Sequence, residues 1–145
     1  MLGGIPDSHR VGTGIDVHTF GEADNLWLAG LHWPGEKELS GHSDGDAVSH
    51  AIVDALLSAA GLGDIGSNFG VDRPEFSGAN GKVFLEGALE LISAAGYRVE
   101  NVAVQIIGNR PKVAPHRAAV EAALESILGA PVSLGATTTD GLGFL

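Results

Sequence analysis

Ser40-Gly41-His42-Ser43-Asp44-Gly45 is a run of turn formers that stops at one residue, Asp46, and gives way to Ala47-Val48-Ser49-His50-Ala51-Ile52-Val53-Asp54-Ala55-Leu56-Leu57. An Asp just before an apolar-periodic stretch accepts hydrogen bonds from the free amides of a first helical turn, and Gly61 can end that helix. A helix is therefore pinned in register from Asp46. Register decides faces: Val48, Ile52, Ala55 and Leu56 can face a core, while His50 and Asp54, four apart, lie side by side on one surface.

Upstream, Val11 to His18 alternates apolar residues with Gly, Thr and Asp, which predicts a strand. A strand's period of two puts Asp16 and His18 on one face. Trp27 to Trp33 reads as a short apolar strand or hairpin piece closed by a Pro34-Gly35 turn. Gly63 opens an irregular loop that runs to about Asn80. Leu85, Ala88, Leu89 and Ile92 recur at helical spacing, so a second helix spans Lys82 to Ala95 and stops at Gly96. Tyr97 to Ile107 alternates as a strand, Arg110-Pro111-Lys112 makes a basic turn, His116 to Leu128 is a third helix and Val132 to Thr139 a last strand. Strands interleaved with helices, without internal repeat, predict one α/β domain over residues 11 to 145 behind a loose tail over residues 1 to 10.

Composition narrows the function classes. With 145 residues, 44% of them hydrophobic, the chain can build one sizeable core. Eighteen acidic against eight basic residues give a formal charge of −10, which repels nucleic acid and anionic membrane alike. The absence of cysteine excludes disulfides and thiolate metal sites and agrees with a cytoplasmic location.

Without thiolates, Asp16, His18 and His50 are the natural ingredients of a mixed oxygen and nitrogen zinc site with one position open. Taken singly, each also reads as an ordinary satisfied polar group. The stretch from His42 to Asp46 is a helix-capping loop or an anion site, since free amides and the helix dipole favour phosphate oxygens there. Ala136-Thr137-Thr138-Thr139-Asp140 offers hydroxyls and a carboxylate at a strand end. That suits a β-strand, and it also suits a phosphate-bound Mg²⁺ or Mn²⁺.

In this order, Gly14-Ile15-Asp16-Val17-His18, the His42 to Asp46 cluster with His50, Leu62-Gly63-Asp64-Ile65-Gly66, Arg110-Pro111-Lys112 and Ala136 to Asp140 resemble the 2-C-methyl-D-erythritol 2,4-cyclodiphosphate synthase family. The resemblance runs from about Val11 to Phe144. It implies a ferredoxin-like sandwich, a mixed β-sheet with helices packed on one face, assembled as a homotrimer with active sites between subunits. It implies Zn²⁺ on Asp16, His18 and His50, and a second divalent ion, Mg²⁺ or Mn²⁺, at Asp140. His42, Asp54, Thr138 and Thr139 would serve catalysis, with His42 and Ser43 on the diphosphate and Asp54 on the methylerythritol hydroxyls. Asp64 and Gly66 would contact ribose. Gly108, Asn109, Arg110, Pro111, Lys112, Val113 and Ala114 would surround cytosine, with Lys112 near the phosphates, and Ala136 and Thr137 would complete the phosphate end.

The activity so implied is closure of a cytidine-diphosphate-linked methylerythritol 2-phosphate to a cyclic diphosphate with release of CMP, in the non-mevalonate isoprenoid pathway. The chain departs from the family in two ways. The family usually carries Glu where this chain has Asp140, and beyond Leu145 it continues through a Gly- and Arg-containing turn into a final strand, which is expected to be missing here. Two alternatives therefore stand beside the synthase: a truncated chain that binds zinc and cytidine nucleotide with little turnover, and a metal-dependent phosphohydrolase.

Overall fold

The computed structural model describes residues 9–40, 45–70 and 80–143. Its elements are β1 (Leu26–Leu28), β2 (Leu31–Trp33), α1 (Ala47–Ala60), α2 (Ile65–Asn68), α3 (Gly81–Ala94), β3 (Val102–Ile107), α4 (Arg117–Leu128) and β4 (Val132–Thr137). The expected tail falls mostly on residues 1–8, outside the described residues, as do residues 41–44, 71–79 and 144–145.

Local chemistry accounts for the helix limits. The Asp46 side chain accepts from the Ser49 amide at the start of α1, and Gly61 closes the helix in the left-handed conformation with φ 72°. Asn80 caps α3 in the same way through the Val83 amide. The long loop expected after Gly63 contains a short helix, α2, because Asp64 and Ser67 form a reciprocal capping box.

The described strands form two small sheets. β1 and β2 make an antiparallel hairpin whose turn, Ala29-Gly30, has positive φ at both residues, the geometry that matches strand twist. β3 and β4 run parallel, Val102 opposite Val132 through Ile107 opposite Thr137, joined by the crossover through α4. The inner residues of β3 (Val102, Val104, Ile106) pack against the core, which is built from Ile52, Val53 and Leu57 of α1, Phe84, Leu85 and Ala88 of α3, Val120 and Leu124 of α4, and Leu134 of β4. The helices thus cover one sheet face, as expected. On the other side of α4, Glu125 and Glu121 accept the Val132 and Leu134 amides at 3.1 and 3.0 Å. Carboxylates four apart on a helix, about 6 Å in rise, match amides two apart on a strand, about 6.6 Å.

The segment Val11 to His18 differs from expectation. It alternates as predicted, with Gly12, Gly14, Asp16 and His18 half-buried and Val11 and Ile15 91% and 83% exposed, yet it joins no ladder among the described residues. It lies on α1 instead. A Cβ on Gly12 or Gly14 would overlap the Ala55 or Ala51 carbonyl oxygen, so only glycine permits this approach. A groove of about 770 Å³ is lined by Val11 and Gly12 of this segment, Val102 and Ala103 of β3, and Ile52, Ala55 and Leu56 of α1, among others. No described helix is long and apolar enough to cross a membrane.

Candidate metal centre

The extended segment brings Asp16 and His18 to the N-terminal half of α1, where His50 sits one turn after the cap. Asp16 Oδ2 is 2.7 Å from His18 Nε2 and 3.3 Å from His50 Nδ1, and the three ligand atoms lie within 4.8 Å of one another. Two tetrahedral zinc ligands at about 2.0–2.1 Å stand about 3.3 Å apart. The Asp16 to His50 separation has that value already, and the Asp16 to His18 pair would open slightly. Asp16 Oδ2 and His18 Nε2 are buried and make no hydrogen bond. Two orphaned donor atoms aimed at a common point, beside a third, fit a dication.

Supporting contacts orient these ligands. His18 Nδ1 bonds the Ser40 carbonyl, which leaves Nε2 to face the site. The His50 ring meets Phe84 edge-on at 5.2 Å, and Phe84 meets Phe69 at 5.4 Å, an apolar wall that holds the imidazole in place. The electrostatics follow from the crowding. Burial by itself would raise the Asp16 carboxyl, but pairing with His18 and His50 outweighs it and holds the group well below the usual carboxylate range. His18 is raised, chiefly by Asp16, against the opposing effect of burial and with help from the Ser40 carbonyl.

Other residues singled out in the sequence fall around this centre in different ways. Asp54, one turn after His50, uses Oδ1 to accept the Ile65 amide at 2.8 Å, which ties α2 to α1. Asp64 is exposed and spends its carboxylate on capping α2; the Ser67 amide and then the Ser67 hydroxyl lower its pKa. Gly66 lies within α2. The loop of Gly108 to Ala114 and the stretch of Ala136 to Asp140 leave the C-terminal ends of parallel neighbours β3 and β4, joined by the Gly108 amide to Thr137 carbonyl bond of 3.0 Å. Ends of parallel strands are where such folds place ligands. Pro111 and Val113 are buried and anchor the loop; Lys112 is exposed, and Arg110 pairs with Glu36 at 3.4 Å. Asp140 caps that end, its amide bonded to the Thr138 hydroxyl, and it does not join the Asp16, His18 and His50 group. His42 and Ser43 lie outside the described residues.

Ser40 and Phe84 are parts of the centre that sequence reasoning missed. A backbone carbonyl leaves no trace in a sequence, and a Phe on an apolar stripe reads as core.

A sequence model of the YgbB family matches residues 9–145. The chain belongs to the YgbB family. Among its relatives, the 2-C-methyl-D-erythritol 2,4-cyclodiphosphate synthase of Acidothermus cellulolyticus is 55% identical over 136 residues, 94% of this chain and 84% of that protein. The bifunctional enzyme IspD/IspF of Clavibacter michiganensis is 64% identical over 135 residues, and there the chain spans only 33% of the relative's length. A solved structure of a 2C-methyl-D-erythritol-2,4-cyclodiphosphate synthase in its CDP-bound form superposes with a TM-score of 0.86 at 40% identity, covering 92% of this chain and 91% of that one. The architecture and the family inferred from the five motifs thus agree with the comparisons.

Proposed function

We propose that this chain cyclises 4-diphosphocytidyl-2-C-methyl-D-erythritol 2-phosphate to 2-C-methyl-D-erythritol 2,4-cyclodiphosphate with release of CMP. The observation that carries the reading is the convergence of Asp16, His18 and His50 in a chain of this family. The donor set of one carboxylate and two imidazoles suits Zn²⁺, held with one position open; when bound, the ion polarises the phosphoryl group that is attacked.

The protein's own residues have positioning to do. A phosphate monoester with its second pKa near about 6 is largely ionised at neutral pH, so the attacking oxygen needs no general base. Alignment and charge neutralisation remain. Asp54, held by the Ile65 amide through one oxygen, keeps the other for hydroxyls of the methylerythritol unit. His42 and Ser43, ahead of the start of α1, receive the diphosphate, and Thr138 and Thr139 hold it from the end of β4. Asp140 takes the second divalent ion. Loop residues Gly108 to Ala114 surround the cytosine, with Asp64 and Gly66 on the ribose, and Lys112 adds positive charge to an otherwise acidic chain.

Assembly as a homotrimer in the cytoplasm belongs to the same reading. The support for assembly is that Val11, Ile15 and Val17 of the extended segment and Ile107 of β3 are exposed large hydrophobics. Incubation with the CDP-linked substrate, followed by phosphorus NMR, tests the activity. Cyclic diphosphate with equimolar CMP is expected. A linear product would establish a phosphohydrolase, and tight CDP binding without CMP release would refute turnover.

A further inference from the structure

Asp46 is fully buried, and apart from capping α1 its carboxylate has no part in the metal-binding or substrate-binding roles given above. Oδ1 accepts the Ala29 amide at 2.8 Å and the Ser49 amide at 3.0 Å; Oδ2 accepts the Gly30 amide and the Ser49 hydroxyl, each at 2.8 Å. Four donors use the acceptor capacity of a carboxylate and of no other side chain of that length.

The bonds tie separate elements together. Ala29 and Gly30 are the turn of the β1–β2 hairpin, and Ala29 holds φ 56°, a conformation that L-residues other than Asn and Asp seldom adopt. Ser49 lies in the first turn of α1. Gly81 opens α3 where any Cβ would overlap the Asp46 carboxylate and the Ser49 hydroxyl. One side chain therefore locks the hairpin turn to the start of α1, with α3 abutting both.

The ligands hang from the same point. The Asp46 carbonyl accepts the His50 amide at 3.0 Å, while six residues earlier the Ser40 carbonyl holds His18 Nδ1. The Ser40 carbonyl thus holds one imidazole directly, and the Asp46 carbonyl holds the backbone of the residue that carries the other. We propose that Asp46 is a positioning residue for the metal centre: by anchoring the first turn of α1 to the hairpin it sets His50 against Asp16 and His18, so that an ion meets a preformed ligand set.

This inference rests on Asp16, His18 and His50 being metal ligands, and the test separates the two claims. Zn²⁺ alone is titrated into the metal-free protein against a chromophoric chelator, for wild type, Asp46→Asn and Leu124→Ala. Asn matches Asp in shape, but its NH₂ must face one of the donors. Asp46→Asn is expected to lose about 10–100-fold in Zn²⁺ affinity per folded molecule, the cost typical of a lost supporting residue. Leu124→Ala, a buried truncation on α4, lowers the melting temperature and keeps wild-type affinity. Cobalt(II) in place of zinc gives a visible spectrum altered in Asp46→Asn and preserved in Leu124→Ala. Where Asp46→Asn fails to fold, Ser49→Ala decides, with an affinity loss of up to about fivefold expected from one missing hydrogen bond. Wild-type affinity in the folded Asp46→Asn, or in Ser49→Ala where that variant decides, overturns the positioning role alone. A wild-type protein that binds no stoichiometric Zn²⁺ overturns the metal centre and this inference with it.

Discussion

Gly14→Ala is the sharpest probe of how the metal centre is assembled, because it touches no ligand. A Cβ at this position would overlap the Ala51 carbonyl oxygen and sit 2.7 Å from the Ala55 amide nitrogen. Non-bonded heavy atoms rest at about 3.5–4.0 Å, so the extended segment must retreat from α1 by more than about 1 Å. Asp16 and His18 follow two and four residues later on the same face. Retreat on that scale stretches the 3.3 Å between Asp16 and His50 past the edge of a zinc tetrahedron. Two costs are expected: about 1–3 kcal/mol of stability, as for other overpacked sites, and a fall of about 100-fold in turnover, the penalty for a misplacement near 1 Å. Thr13→Ala, on the exposed face of the same segment, should change neither. Thermal melts, Zn²⁺ competition titration and turnover of the CDP-linked substrate provide the readouts. A Gly14→Ala protein with Zn²⁺ affinity and turnover within twofold of wild type would refute the claim that close approach to α1 places the ligands.

Removing a ligand goes further than displacing one: His50→Ala should abolish stoichiometric Zn²⁺, measured by elemental analysis of the dialysed protein, and lower turnover by more than the 10–100-fold typical of supporting residues. The metal-free centre has its own pH dependence. Asp16 is depressed from 3.8, so its contribution to stability is present above that value and lost as pH falls through the folded pKa; His18 is raised from 6.5, so its contribution is complete below that value and lost as pH rises through the folded pKa. Between about pH 4 and 6.5 the pairing is at full strength, and melts in EDTA should show their largest difference from an Asp16→Asn variant there. Zn²⁺ competes with the imidazole proton, so its affinity should climb above that window, and an affinity that is flat with pH would contradict the ligand set. Finally, Glu121→Ala should leave the Leu134 amide without its acceptor at a cost of about 1–3 kcal/mol in urea unfolding, with Glu121→Gln restoring most of it.

What could be read from the sequence was what local chemistry decides. Asp46, Asn80, Gly61 and Gly96 mark helix limits because caps and left-handed glycines act within a few residues, and α1 and α3 begin and end within a residue or a turn of the predicted positions. Asp16 and His18 were legible as a pair because a period of two holds for any extended backbone, whether or not it enters a ladder. What could not be read depends on distant partners. The Ala29-Gly30 turn is hidden because Ala in a left-handed conformation has no propensity signal and is held by a carboxylate 17 residues away. That Val11 to His18 joins no ladder among the described residues and lies on α1 instead is a tertiary fact. Helix α2 was recoverable, since Asp64 followed by Ser67 is a capping pair, but its four residues carry no periodicity to draw attention to it.

The carboxylates of α4 give the parallel pair two unlike margins. Along β4 the outward amides of Val132 and Leu134 are already taken, so that side is finished and offers a newcomer little to bind. Along β3 no described backbone stands opposite, and an apolar floor lies beside the bare edge. Among the described residues the two flanks of this sheet are therefore unequal: the β3 flank is the open one, and a strand docking there would lie over the groove lined by Val11 and Gly12 of the same ribbon of chain that carries Asp16 and His18.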